Sequence, residues 1–265
     1  MTRRMFNRRT LFATAFAAGA AQAGAQTPAA GPCYIELRQY RLRTDHTEQS
    51  RRTTQFLTRA YLPAAKRAGA TVVGLFNASV GPETPFITRL TSYPSAAAME
   101  AAAAKLLADA DYQKALADYD ANPDAAYIRM DSWLLRSFDS FPVVNAGPSG
   151  SDRPARAFEL RTYESQNEST MRSKIKMFES GEVAIFRASG MEPIFFGNAV
   201  AGSNLPHVTY MLAYNDASER DKAWTVFRAN ADWLKLQRVP EFAAPGLVIN
   251  VSNAMLTPIQ GSDIR

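Results

Sequence analysis

The sequence predicts an α+β protein: two tandem β-α-β-β-α-β units, each ferredoxin-like, closing on each other as one pseudo-dimeric α+β barrel. Three observations predict it. The pentapeptide Glu36-Leu37-Arg38-Gln39-Tyr40 returns as Glu159-Leu160-Arg161-Thr162-Tyr163, 123 positions later. A second set of matches keeps a constant spacing of 121, among them Gly69 with Gly190, Asn77 with Asn198, Gly81 with Gly202, Pro85 with Pro206, Tyr93 with Tyr214 and Ile128 with Ile249. Each copy also passes between period-two and helical patterning in the same order. A unit of this order carries both helices on one face of a four-stranded antiparallel sheet. Its other face must be covered, and the second copy is available to cover it. Two separate domains, each pairing with another chain, are the alternative.

The elements follow in order. Residues 34–42 alternate in character and read as a strand, with Ile35 and Leu37 on one face and Glu36, Arg38 and Tyr40 on the other. A polar turn leads to a helix over 47–68, whose apolar face is Phe56, Leu57, Ala60, Tyr61 and Ala64. Gly69 stops that helix. Residues 71–80 and 86–93 are β-branched and apolar strands separated by the turn sequence Gly81-Pro82-Glu83-Thr84-Pro85. Ser95 caps a second helix that runs through the Ala-rich stretch to about Asp118. Asn122-Pro123 ends it, and 127–138 form the last strand. The first repeat is 34–138, the second 157–258, and 139–156 form a Pro/Gly/Ser-rich flexible linker. The change in spacing from 123 to 121 places a length difference in the turn after the opening strand.

Residues 1–25 read as an export signal of the twin-arginine type. Arg3-Arg4 and Arg8-Arg9 precede the apolar run 11–21, and small residues then offer cleavage near Ala23 or Ala25. An ordinary secretory signal is the alternative. The expected location is the periplasm or the exterior, with no integral membrane association after cleavage. Pro32 before Cys33 argues against lipid attachment. Of the formal +5 charge, the signal holds four arginines and no acid, so the rest of the chain carries about +1. No nucleic-acid partner is expected from that balance. A single cysteine permits no internal disulfide, Cys-rich zinc site or iron–sulfur cluster.

The duplicated strand also supplies the candidate site. If Ile35 and Leu37 pack under the helices, then Glu36, Arg38 and Tyr40, with Glu159, Arg161 and Tyr163, face the barrel interior. There Arg would bind a carboxylate or enolate oxygen, Tyr would donate a hydrogen bond and Glu would serve as a base. The structural alternative is a Glu–Arg pair that bridges strands and needs no ligand. His46 lies in a turn and His207 at the start of a strand, neither matched in the other repeat. No metal site and no cofactor are expected; haem ligation through His207 is the weaker reading beside an incidental strand histidine. Asp109, Asp111, Asp118 and Asp120 read as solvated charges. Trp224, Phe227 and Trp233 read as helix residues packed on the sheet, and some of Phe195, Phe196, Tyr210 and Tyr214 as lumen lining. No Gly-rich phosphate loop and no Gly-x-Ser-x-Gly elbow occurs.

The Glu-Leu-Arg-x-Tyr strand, the Ala/Ser-Gly helix end, the Asn-x-x-x-Gly strand end and the Asp-Tyr/Trp pair late in the second helix resemble the NIPSNAP family. Tandem copies behind a signal resemble an exported bacterial type within it. The resemblance implies a fold of the dimeric α+β barrel superfamily. It implies little about activity, which in that family is largely undefined; its animal members are linked to mitochondria and membrane traffic. Related barrel families include cofactor-independent monooxygenases, haem-binding and haem-degrading enzymes, and small isomerases. The expected role is binding of a small apolar or aromatic ligand or a protein partner. The alternative is a cofactor-independent monooxygenase or isomerase acting on a small aromatic substrate in the lumen. A monomeric pseudo-dimer and a homodimer both fit.

Overall fold

The computed structural model describes residues 31–44, 47–147 and 155–265. The signal, His46 and part of the linker lie outside them. The first repeat runs β1 (Tyr34–Arg41), α1 (Thr47–Phe56), α2 (Leu62–Ala68), β2 (Val72–Val80), β3 (Phe86–Tyr93), α3 (Ala96–Ala108), α4 (Ala110–Asp120) and β4 (Arg129–Ser137). The second runs β5 (Ala157–Glu164), α5 (Glu168–Met177), α6 (Val183–Ala188), β6 (Glu192–Ala201), β7 (His207–Tyr214), α7 (Ala217–Ala229), α8 (Ala231–Leu236) and β8 (Asn250–Pro258). The eight strands close in the order β1-β3-β2-β8-β5-β7-β6-β4. Pairing of β2 with β8 and of β4 with β6 joins the repeats edge to edge. Closure removes every unpaired sheet edge and turns the two bare faces inward.

Local chemistry sets the helices. Gly69 adopts φ 119° and ends α2. Ser95 accepts the Ala98 N–H at 3.1 Å and starts α3. The single helix expected to 118 is two, because Asp109 leaves helical geometry and caps α4 by accepting the Tyr112 N–H at 2.9 Å. Asp109 is therefore structural rather than merely solvated. Each first helix is also interrupted at its centre by one π-helical turn, Leu57–Tyr61 and Phe178–Glu182, at positions 121 apart. Such a turn inserts an extra residue and rotates the side chains beyond it, a device common at functional sites.

Three large apolar clusters account for the stability. Ile35, Leu37, Leu90, Phe158, Leu160, Phe195 and Met211 fill the lumen. Phe178, Phe186, Phe196, Tyr210, Trp224 and Phe227 join the second repeat's helices to its sheet, while Leu57, Tyr61, Val73, Leu75 and Ile87 do so in the first. Of the four aromatics expected near the lumen, only Phe195 belongs to it. The far end of the lumen is stoppered by Ile264, which packs against Gly74, with Asp263 accepting the Val73 N–H at 2.7 Å. The stretch 141–147 corrects the flexible-linker reading: Phe141 and Val144 are buried, and Asn145 donates its backbone N–H to Ile194 O at 2.8 Å.

Candidate functional site

The six duplicated residues do not face the barrel interior. Ile35, Leu37, Phe158 and Leu160 do, and Glu36, Arg38, Tyr40, Glu159, Arg161 and Tyr163 lie under the helices. The physical reason is closure. An eight-stranded barrel is just wide enough to be filled by side chains, and a dry interior penalises charge. The helix layer, in contrast, supplies donors.

In the first repeat those donors come from the sheet. Glu36 accepts from Arg38 at 2.5 and 2.9 Å and also pairs with Arg89 on β3. Arg89 in turn donates to the Tyr40 hydroxyl at 3.2 Å and lies 4.0 Å from the centre of the Tyr61 ring. Burial alone would raise the Glu36 carboxyl, but the charges of Arg89 and Arg38 outweigh it and bring it below the ordinary value. In this repeat the Glu–Arg pair spans β1 and β3 within a packed layer.

The second repeat differs. Glu159 is fully buried and accepts from five donors: Arg220 at 2.6 Å, Arg161 at 2.7 Å, the Trp224 indole at 2.8 Å, the Tyr214 hydroxyl at 2.9 Å and Asn253 at 3.0 Å. Burial opposes ionisation there, but the Arg220 hydrogen bond, the Arg161 charge and the Asn253 and Trp224 donors hold the carboxyl at about 2. Glu159 is thus an anchor and not a base. What it anchors is Arg161, whose guanidinium lies 4.5 Å from the Trp224 ring centre and donates to Tyr210 at 2.9 Å. Tyr210 donates to Tyr163 at 2.7 Å.

Arg161 and Tyr163 line a cavity of about 510 Å³ between β5 and the helices. Trp224, Phe227 and Trp233 wall it, with Trp224 and Phe227 centred 5.3 Å apart and Phe227 and Trp233 4.6 Å apart. These three pack on the sheet as expected, and they are also cavity lining. Opposite them stand Lys174 and Glu182, joined at 2.6 Å and both almost fully buried. The Lys174 ammonium lies 4.2 Å from the Phe178 ring centre. Burial pushes the Glu182 carboxyl up, against the partial opposition of Lys174 and Arg161. Sequence reasoning overlooked this pair, yet comparison of the repeats carries the signal. At the 121 spacing Lys174 replaces Thr53, Glu182 replaces Tyr61 and Trp224 replaces Ala103. The π-helical turn ends on Glu182 and so delivers it to the cavity.

Of the two histidines, His207 is buried at the other side of the sheet, in the lumen mouth, and plays no part in this cavity. Among the described residues no three His, Cys, Asp or Glu side chains converge on a metal position, and no helix is long and apolar enough to cross a membrane.

The sequence model of the NIPSNAP family matches residues 35–139 and again 158–263. The chain belongs to the NIPSNAP family. No curated protein matches it. Among solved structures, a candidate monooxygenase from Lactobacillus acidophilus NCFM superposes with a TM-score of 0.56 at 12% identity, over 86% of this chain and 94% of that one. A candidate monooxygenase from Fusobacterium nucleatum gives 0.54 at 10%, over 87% and 94%. A chlorite dismutase variant from Candidatus Nitrospira defluvii gives 0.51 at 10%, over 88% and 94%. At these identities the likeness is one of fold. This NIPSNAP chain is a two-repeat version in which the second repeat alone builds the Arg–Lys–Glu cavity.

Proposed function

We propose that this NIPSNAP protein binds a small planar aromatic ligand carrying an anionic oxygen, in the helix-side cavity of its second repeat. One observation carries the reading: Arg161, held in place by the five-donor Glu159 anchor, meets three aromatic walls and the buried Lys174–Glu182 pair in one cavity of about 510 Å³. Aromatic walls with a few convergent polar groups are the usual composition of a small-molecule site. The lining holds Arg161, Lys174, Arg220 and Arg228 against Glu182, Asp221 and the Glu159 behind Arg161, and this excess of positive charge favours a carboxylate, phenolate or enolate oxygen, while Trp224 and Trp233 favour a ring. This replaces the lumen as the place of binding, since the lumen at mid-length is packed solid.

Titration with 2-naphthoate, followed by tryptophan fluorescence, tests it. Saturable quenching is expected, weakened about tenfold or more by Arg161→Gln and unaffected by Arg38→Gln. Quenching that does not saturate, or that both variants weaken alike, refutes the site.

The raised Glu182 carboxyl favours a second reading. A base beside Arg161 suits abstraction of a proton from an acidic carbon, with the enolate held by the arginine. That step is common to a cofactor-independent isomerase and a cofactor-independent monooxygenase, the latter using dioxygen as co-substrate. The candidate monooxygenases of the same fold are in keeping with it. Export belongs to the same proposal: the paired arginines and small-residue sites of 1–25 support passage to the periplasm, and the mass of the mature chain recovered there tests it.

A further inference from the structure

The lumen is filled only part-way along its axis. All eight strand pairings are antiparallel, so β1 and β5 point the same way and end at one mouth. A cavity of about 250 Å³ opens there, with Leu37, Phe86 and Leu160 beneath a polar rim. The sheet separates it from the helix-side cavity, and no residue lines both.

Pseudo-symmetry reveals a charge imbalance around this rim. On the first-repeat side Arg41, Glu83, Arg129 and Asp131 neutralise one another: Arg41 pairs with Asp131 at 2.9 Å and with Glu83 at 3.8 Å, and Arg129 with Asp131 at 3.2 Å and also with Glu83. Arg41 is further held over the Phe86 ring, 4.6 Å from its centre. The positions related to these four by the repeat are Glu164, Asn204, Asn250 and Ser252. The two arginines and two acids have become one carboxylate and three neutral groups. Glu164 accepts from Asn250 at 2.9 Å and from Asn204 at 3.4 Å, and among the described residues it has no cationic partner.

Polar groups inside the mouth are also unmatched. Gln39 lines the cavity and is only 8% exposed; its amide opens onto the cavity and forms no hydrogen bond among the described residues. His207 is 2% exposed; its Nδ1 lies 3.1 Å from the Thr209 hydroxyl, while Nε2 has no partner. Thr209 in turn shares a hydrogen bond of 2.9 Å with Thr162. A buried polar atom without a partner, as His207 Nε2 is, is costly unless something else satisfies it, and the Gln39 amide beside it is free to bond a ligand. The open groups suit a cation that donates N–H bonds to the Glu164 carboxylate and the Gln39 amide carbonyl, with an apolar body above Leu37 and Leu160. An ammonium group has three such donors. The space equals roughly eight water molecules, enough for one small organic molecule. An anion is disfavoured, because the rim arginines, Arg41 and Arg129, are already neutralised by Glu83 and Asp131.

We propose that the barrel mouth is a second ligand site and that it takes a compact organic ammonium ion, bound by the Glu164 carboxylate and the Gln39 amide. Benzylammonium, benzyl alcohol and benzoate share one shape at three charges, and titration of the full chain with each by NMR tests the site. Benzylammonium is expected to saturate and to move the indole N–H resonance of Trp133, which lines the mouth. Its Kd is expected to rise about tenfold in Glu164→Gln, the scale of one charge-assisted hydrogen bond, and less in Gln39→Leu. Benzyl alcohol and benzoate are expected to bind at least tenfold more weakly. On the unaltered chain, added salt is expected to weaken benzylammonium and leave benzyl alcohol unchanged. The proposal is overturned by equal binding of the three probes, by affinity indifferent to salt and to Glu164→Gln, by the absence of saturation, or by an affinity lost in Trp224→Ala instead.

Discussion

Glu159→Gln removes the acceptor on which five donors converge, and its cost follows from the proton affinity of the native carboxyl. That carboxyl sits at about 2 against an ordinary value of 4.5. At about 1.4 kcal/mol per tenfold in proton affinity, the fold stabilises the ionised form by roughly 3 kcal/mol. The folded value lies below the unfolded one, so this stability is present in full above pH 4.5 and is lost as pH falls from there through about 2. Glutamine fits the space but carries no charge for Arg161 and Arg220, and its amide hydrogens face donors. At neutral pH the variant should lose roughly 3 kcal/mol, lowering Tm by about 6 to 12 °C for a chain of this size. Urea unfolding followed by circular dichroism at pH 7 and pH 3 measures the difference. Linkage predicts that the gap between wild type and variant narrows to about 1.4 kcal/mol at pH 3. A gap under about 1 kcal/mol at pH 7, or one that stays constant between the two pH values, would show that Glu159 is not the charge anchor described here.

Two further outcomes follow from pseudo-symmetry and packing. Lys174→Thr alone leaves Glu182 buried without its partner and should cost about 3 to 5 kcal/mol, whereas the double change to the first-repeat residues, Lys174→Thr with Glu182→Tyr, should recover most of that loss while abolishing 2-naphthoate binding; a double-mutant cycle in urea shows whether the pair is coupled. Gly74→Ala would put a methyl group 2.9 Å from both Ile264 and Phe76 and should destabilise by about 1 to 3 kcal/mol; deletion of residues 260–265 should remove the part that comes from displacing the C-terminal stopper and leave the part due to Phe76, as thermal melts of the four chains would show.

A tandem repeat within a closed barrel lets one copy serve as a control for the other. Glu36 and Glu159 occupy the same place in the same pentapeptide, but their partners differ. Arg89 in β3 serves Glu36, and its counterpart in β7 is Tyr210. Removal of that arginine from the second repeat shifts the task of neutralising Glu159 to Arg161 and Arg220. It also leaves room for Lys174 and Glu182 where Thr53 and Tyr61 close the first copy. A closed barrel within one chain accounts for both bare sheet faces and removes the need for a second chain to complete the fold.

The sequence by itself determined the duplication, the order of strands and helices, the Gly69 helix end, the Ser95 cap and the two repeats' equivalence. These are local or periodic properties, and every residue needed to infer them lies within one or two turns of chain or at a constant spacing. Period-two alternation also divided Glu36, Arg38 and Tyr40 from Ile35 and Leu37, but it is symmetric and does not say which face is the inside. Only tertiary structure decided that. The donors that accommodate Glu159 come from Tyr214, Trp224 and Asn253, which are 55, 65 and 94 residues away, while the packed lumen draws on strands of both repeats. The same holds for the open cavity, because the π-helical turn that brings Glu182 to Lys174 has no periodic signature. Charge went to the layer where distant donors could meet it and to the open mouth of the barrel, and the middle of the lumen, enclosed by backbone already paired, was left to apolar side chains.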